Sequence, residues 1–470
     1  MPRSRYALLL ATTMFAGAAP AHAQSMADIA RELAALRAQV TTLQTRVAEL
    51  EGERAAAAAA QAAAAPAQAA PAAPAQAAAA PPAGPEITFR GGPQITAPGG
   101  WSFKPRGRLQ LDAAYVSSPD GVTQPGLGFS NRVRRARLGV EGTFPGNFGY
   151  RFEVDFANSN VDIVDAYLSM RPADGLTLTL GQHDPFQSLE QLTSELFNSF
   201  IERASFNTAF NNERRLGLSG TFARGPVIAS LGVFTDNLAD LNEAPAGSGL
   251  GDENETVSID GRFVFAPRLG DTQLHFGASA HYRDQSGLAQ SGTTTRYRVR
   301  PLTRTSNVRF IGTPALLVDT ETNYGVEFAA IHGPFHAVAE GHWMEASRLV
   351  GPTPTFFGGY AEVGWYITGE TRGYRNGAFD RTRVLRPLSA GGPGAFQVNL
   401  RYDRLDLSDA GVTGGSQSAI LASLIWIPSD YMRFLINYGH VAYRDAVIPA
   451  ALGDRDYAVD VLGARAQFDF

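Results

Sequence analysis

The chain has 470 residues, a formal charge of −5 at neutral pH and no cysteine, which excludes disulfides and thiolate metal sites. Of its 40 lysines and arginines only Lys104 is a lysine. Its histidines are scattered without a metal-binding spacing and no nucleophile motif accompanies them, so no enzyme, cofactor, metal site or nucleic-acid partner is expected.

The N-terminus, MPRSRYALLLATTMFAGAAPAHAQ, reads as a secretory signal peptide over residues 1–23. Arg3 and Arg5 supply its charge, Tyr6–Ala19 its apolar stretch and Ala21-His22-Ala23 a small-residue cleavage site. Losing those two arginines takes the formal charge from −5 to −7. No later stretch, the Ala/Pro tract aside, offers about 18 uninterrupted apolar residues, so no transmembrane helix is expected.

Residues 24–54 carry a heptad seam: Met26, Ile29, Leu33, Leu36, Val40, Leu43, Val47 and Leu50 alternate spacings of three and four. On a parallel neighbour Glu32 would face Arg37, and Arg46 would face Glu51, and Ser25 is placed to cap the helix. The pattern predicts a periplasmic coiled coil; a single amphipathic helix packed on a domain is the alternative. Residues 55–100, dominated by Ala, Pro and Gln up to Pro85, predict a semi-rigid linker.

From 101 to 470 the texture is different. In NFGYRFEVDF, Phe148, Tyr150, Phe152, Val154 and Phe156 oppose Gly149, Arg151, Glu153 and Asp155. The C-terminus repeats the alternation and ends on Phe470. Segments of about ten residues with period two, joined by turn residues and edged with aromatics, predict an all-β transmembrane barrel. Short connections (145–147, 172–175, 223–225, 332–334, 427–430) alternate with long ones (about 184–212, 237–254, 284–318). Sixteen antiparallel strands are predicted, about 101–117, 129–144, 147–158, 160–171, 175–183, 213–223, 225–236, 255–267, 271–284, 319–331, 334–348, 356–370, 394–408, 416–428, 430–446 and 456–470. The stretch 371–393 fits this count least, being long on the side of short turns.

Inward alternation would place Arg135, Arg137, Arg151, Glu153, Asp155 and Asp165 on the lumen wall, where opposite charges brace a water-filled bore. The 184–212 loop holds Phe186, Leu189, Leu192 and six further large apolar residues, with Glu190, Glu202 and Arg203 among them. So much apolar bulk needs burial, and folding into the barrel would supply it while narrowing the pore. Residues 293–301, TTTRYRVRP, set Arg296, Arg298 and Arg300 at the period of an extended strand, with Arg304 beyond. They read either as a solvated loop or as a file of guanidiniums.

The runs RRARLGVEG, DFAN and DAYLSM, then GQHDPFQSLEQLTSELFNSFIERASFNTAF and NERRLGLSGTF, resemble the phosphate-selective porin O/P family, and later segments resemble it too. The resemblance covers about residues 100–470. It implies a trimeric sixteen-stranded outer-membrane channel for phosphate or polyphosphate, constricted by its third outer loop and fed by an arginine ladder. Carried over, Arg296, Arg298, Arg300 and Arg304 match the ladder in spacing. Arg134 and Arg135 match an arginine pair, of which strict alternation turns only Arg135 inward, and Asp165 matches an acidic residue near the binding site. The family pattern has lysine in the constriction loop; here Arg203 is that loop's only cation before Arg214 and Arg215. The expectation is passive, anion-preferring diffusion of inorganic phosphate or other small anions by a homotrimer in outer-membrane lipid and lipopolysaccharide, touching peptidoglycan through the coiled coil. A general or other-substrate porin, and a structural barrel tethered to the cell wall, are the alternatives.

Overall fold

The computed structural model describes residues 84–89, 91–157, 161–238 and 256–470, together with Thr45. The predicted signal peptide, the rest of the coiled coil over 24–54 and the linker up to residue 83 lie outside them.

Among the described residues sixteen antiparallel strands build one closed sheet. They are β1 (Trp101–Val116), β2 (Gly128–Phe144), β3 (Phe148–Asp155), β4 (Asp162–Ala173), β5 (Leu176–His183), β6 (Arg215–Arg224), β7 (Val227–Phe234) and β8 (Val257–Phe265). There follow β9 (Thr272–Asp284), β10 (Val318–His332), β11 (Phe335–Arg348), β12 (Thr355–Tyr366), β13 (Ala395–Asp409), β14 (Val412–Ser429), β15 (Met432–Arg444) and β16 (Tyr457–Asp469). Each strand pairs with its neighbours in the chain, and β16 closes on β1 with Val461 opposite Val116 and Asp469 opposite Arg108.

The sheet's polarity is inverted relative to a water-soluble fold. On β1, Leu109 and Leu111 are 40% and 45% exposed, whereas Gln110 and Asp112 between them are 0% and 4% exposed. An apolar exterior around a hydrogen-bonded wall is what hydrocarbon demands of a spanning sheet. Aromatics ring both ends. Trp101 meets Phe144 edge-on at 5.3 Å and Phe335 stacks on Trp365 at 5.9 Å at the short-turn end, while Trp343 and Phe357 lie 5.4 Å apart toward the other. Such rings sit well where chain and headgroup regions meet.

Three places depart from the sequence reading. Residues 86–97, expected as linker, form a hairpin of Glu86–Phe89 on Pro93–Ala97 that joins the sheet beside Trp101–Phe103. β13 and β14 run further than expected because Ala410 and Gly411, both at positive φ (49° and 79°), close a two-residue turn whose twist suits a hairpin. The stretch 371–393 folds into the bore. Its small hairpin, Gly373–Arg375 on Ala378–Asp380, is held by Arg262 of β8 donating to the Gly377 carbonyl (2.9 Å) and by a Tyr374–His275 hydrogen bond (2.7 Å).

The loop after β5 also folds inward. It contains two one-turn helices, α1 (Leu189–Leu192), capped by the Ser188 hydroxyl, and α2 (Ser205–Ala209). It reaches the opposite wall, where Glu340 of β11 accepts from the Leu189 and Glu190 amides (2.9 Å each) and Asp403 of β13 accepts from the Ser205 amide (2.9 Å). Leu189, Phe200 and Phe206 are fully buried there.

Candidate functional site

The inward loop separates two cavities. Gln191, Glu195, Asn198, Ile201, Glu202 and Arg203 face a cavity of about 570 Å³ toward the long loops. Phe186, Leu192, Ser194, Leu196 and Phe197 face one of about 750 Å³ toward the short turns, which the 373–380 hairpin also lines.

The upper cavity is strongly basic. Arg134, Arg135, Arg203, Arg283, Arg296, Arg298, Arg300, Arg304 and Arg309 line it, against Glu195, Glu202 and Glu213. The 293–301 segment is not a strand, but isolated bridges (Thr295 to Leu316, Arg298 to Gly312) keep it extended. Tyr297 and Val299 are buried under it while Arg296 and Arg298 are exposed and Arg300 is half-buried, so the alternation does turn the arginines to one side. Among the described residues Arg296, Arg298, Arg300 and Arg309 have no carboxylate within ion-pair distance; Arg300 donates instead to the Asn307 side chain (2.8 Å). Burial and neighbouring guanidiniums pull Arg300, Arg304 and Arg309 down to about 10, where they stay charged at neutral pH.

Below them the wall corrects one expectation. Both Arg134 and Arg135 point inward. Gln110 opposes Arg135 and Leu111 opposes Val133, so Arg134 is the extra residue of a β-bulge and alternation is broken there. Arg134 grips Glu202 with two hydrogen bonds (2.8 and 3.2 Å), and Arg304 reaches the same carboxylate at 3.8 Å. Burial pushes the Glu202 carboxyl up, but Arg134, Arg465 and Arg304 outweigh it and hold it well below the usual carboxylate range. Arg135 donates to Gln110 (2.8 Å) and lies 3.4 Å from Glu195.

The other wall residues form closed braces. Arg137 pairs with Asp155 (2.8 Å) and Glu153 (3.2 Å); Arg151 pairs with Asp165 (3.0 Å), which also takes Arg214 (2.6 Å). Asp165 sits beside a second bulge, at Val164. Within the loop, Phe186 packs edge-on to Phe234 at 6.1 Å, while Leu189 and Glu190 turn to the wall. Glu190 accepts from the Ala204 amide (2.7 Å) and pairs with Arg401, and its burial raises its pKa, so it supports the loop rather than lining the upper cavity. Arg203 is mostly committed: it donates to the carbonyls of Glu190 (3.0 Å), Gln191 (3.1 Å) and Thr193 (2.9 Å).

Glu195, Arg283, Arg309 and the wall residue Arg108 were not singled out from sequence. Arg108 was open to detection, since it alternates with Gln110 and Asp112 on one strand face. Glu195 sits in an irregular segment between short helices, where no period assigns a face.

A protein of Caulobacter vibrioides described as uncharacterized is 48% identical over 369 residues, covering 78% of this chain and 74% of its own length. The anion-selective porin of Comamonas acidovorans superposes with a TM-score of 0.50 at 12% identity, over 79% of this chain and all of that one, and so shares the barrel fold. The pattern of phosphate-selective porin O and P matches residues 103–470, and the chain belongs to that family.

Proposed function

We propose that this porin gives passive, anion-preferring diffusion of phosphate or polyphosphate across the outer membrane, along the arginines of the upper cavity. Family and barrel together support an outer-membrane channel rather than an enzyme. The observation that carries the anion reading is the set of guanidiniums at the long-loop end, Arg296, Arg298, Arg300 and Arg309, that have no carboxylate partner among the described residues. An anion in a narrow bore loses water, and guanidiniums replace it with bidentate hydrogen bonds. Several moderate contacts in file let it enter and leave. Arg304, Arg134 and Arg135 continue the file downward. The chain's net charge of −5 does not oppose this, because local sign along the path governs permeation.

The 184–212 loop acts as the constriction with arginine in place of lysine, which favours planar oxyanions that accept two hydrogen bonds from one guanidinium. The protein works as a trimer in lipid and lipopolysaccharide, with the heptad seam of residues 24–54 reinforcing assembly and reaching toward peptidoglycan. Purified protein in a planar bilayer tests the reading. A reversal potential favouring chloride over potassium, with chloride current blocked by phosphate, is the expected result; cation preference or no conductance refutes it.

A further inference from the structure

Glu195 lies on the inward loop and is 7% exposed. Its carboxylate is ringed by guanidiniums: Arg108 at 3.1 Å, Arg135 at 3.4 Å, Arg137 at 3.6 Å and Arg203 at 3.8 Å. Arg108, Arg135 and Arg137 come from the wall, on β1 and β2; Arg203 comes from the loop itself. Arg108 and Arg137 also pair with Glu153 (3.2 Å each), so the wall balances them without the loop. Among the described residues Arg135 has only Gln110 as a side-chain hydrogen-bond acceptor and only Glu195 within ion-pair distance, and its buried Nε has no hydrogen-bond partner. The wall thus presents a cradle for an oxyanion beside the inward loop, between the upper cavity that Arg135 lines and the lower one that Arg108 lines, and a carboxylate of the protein sits in it.

We propose that Glu195 is a specificity-determining residue that acts as a tethered competitor: its carboxylate fills the cradle of Arg108, Arg135 and Arg137, and a permeating oxyanion passes by exchanging places with it. The proposal rests on the anion-porin reading. A cradle of three desolvated guanidiniums, left empty, would hold an oxyanion too tightly to release it. A carboxylate fixed to a neighbouring loop competes at high effective concentration and lowers that affinity without closing the site. Arg203, on the same loop, gives the displaced carboxylate a second partner. Burial pushes the Glu195 carboxyl up, yet Arg135, Arg137, Arg203 and Arg108 outweigh it and hold it well below the usual carboxylate range, so the competitor keeps its charge.

The test uses full-length protein in planar bilayers, with inorganic phosphate as the blocker of chloride current. Glu195→Gln keeps the shape and removes the charge; phosphate block should tighten about tenfold or more, with slower recovery between blocking events. Glu195→Asp, which draws the carboxylate back by one methylene, should tighten block in the same direction by less and serves if Glu195→Gln does not fold. Adding Arg135→Gln to either variant should return block toward the wild-type level. Unchanged or weaker block in a folded Glu195 variant overturns the proposal. Wild-type protein without anion preference sinks the anion-porin reading itself, whereas anion-preferring wild-type protein with a Glu195 variant of unaltered block sinks only the competitor.

Discussion

Replacing Arg298 and Arg300 together with alanine separates a guiding file of charges from a solvated loop. Arg298 is exposed and Arg300 half-buried, and neither has a carboxylate partner among the described residues. A solvated charge contact is worth about 0.2–1 kcal/mol, and a desolvated charge-assisted hydrogen bond about 1.5–3 kcal/mol. Arg298 belongs near the first range; Arg300, turned toward Asn307, falls between the two. Their joint loss should cost an entering phosphate roughly 1–2 kcal/mol, or about 5–30-fold in phosphate block, and should reduce chloride preference. Near 1 M salt, where the Debye length is about 3 Å, the difference should largely vanish. Arg268→Ala, exposed on the short connection between β8 and β9, serves as control and should leave both readouts unchanged. If the double variant keeps the wild-type reversal potential and block at low salt, the file of arginines is incidental.

The same arginines set a pH profile. Arg300, Arg304 and Arg309 are charged below about 10, so anion preference should hold from neutral pH to about pH 9 and fall as pH rises through 10. Glu195 and Glu202 are held ionised, so lowering the pH to about 4 should change selectivity far less than Glu195→Gln does, as reversal potentials across a pH series would show. At the barrel seam Gly107 and Phe470 exchange two backbone hydrogen bonds (3.0 and 3.2 Å), and a Cβ at position 107 would come within 2.2 Å of the Phe470 ring. Gly107→Ala should therefore cost about 1–3 kcal/mol, and deleting Phe470 should lower the folded fraction further, measured by heat-modifiable mobility on a gel.

The strands were legible because lipid outside and water inside impose a period of two, which survives any choice of side chain within each class. Leu109 and Leu111 against Gln110 and Asp112 state that rule on a single strand. The burial of the 184–212 loop was legible for a related reason, since Phe200 and Phe206 cannot face water. What period and composition do not encode is partnership. Glu190 and Glu202 looked alike in the loop, yet one fastens the helix turn to Arg401 and the other closes on Arg134 across the bore. The 373–380 hairpin was hidden because its hold on the wall is made by carbonyls and single side chains, at Gly377 and Tyr374, rather than by an apolar face.

The one rule that made the barrel readable fails where the charges meet. Strict alternation permits either Arg134 or Arg135 to face the bore, and a pore that uses both must break the strand's period. The bulge at Arg134 does so, giving one guanidinium to Glu202 and the next to Glu195. A second bulge at Val164 lies beside Asp165, which binds Arg151 and Arg214 together. The bulge at Arg134 adds an inward charge that pleating alone does not allow, at the cost of a break in the hydrogen-bond ladder that local pairing offsets. The inward charge a strand can offer is thus limited by backbone geometry as well as by composition, and the loop carboxylates Glu202 and Glu195 close on the two neighbouring guanidiniums that the bulge supplies.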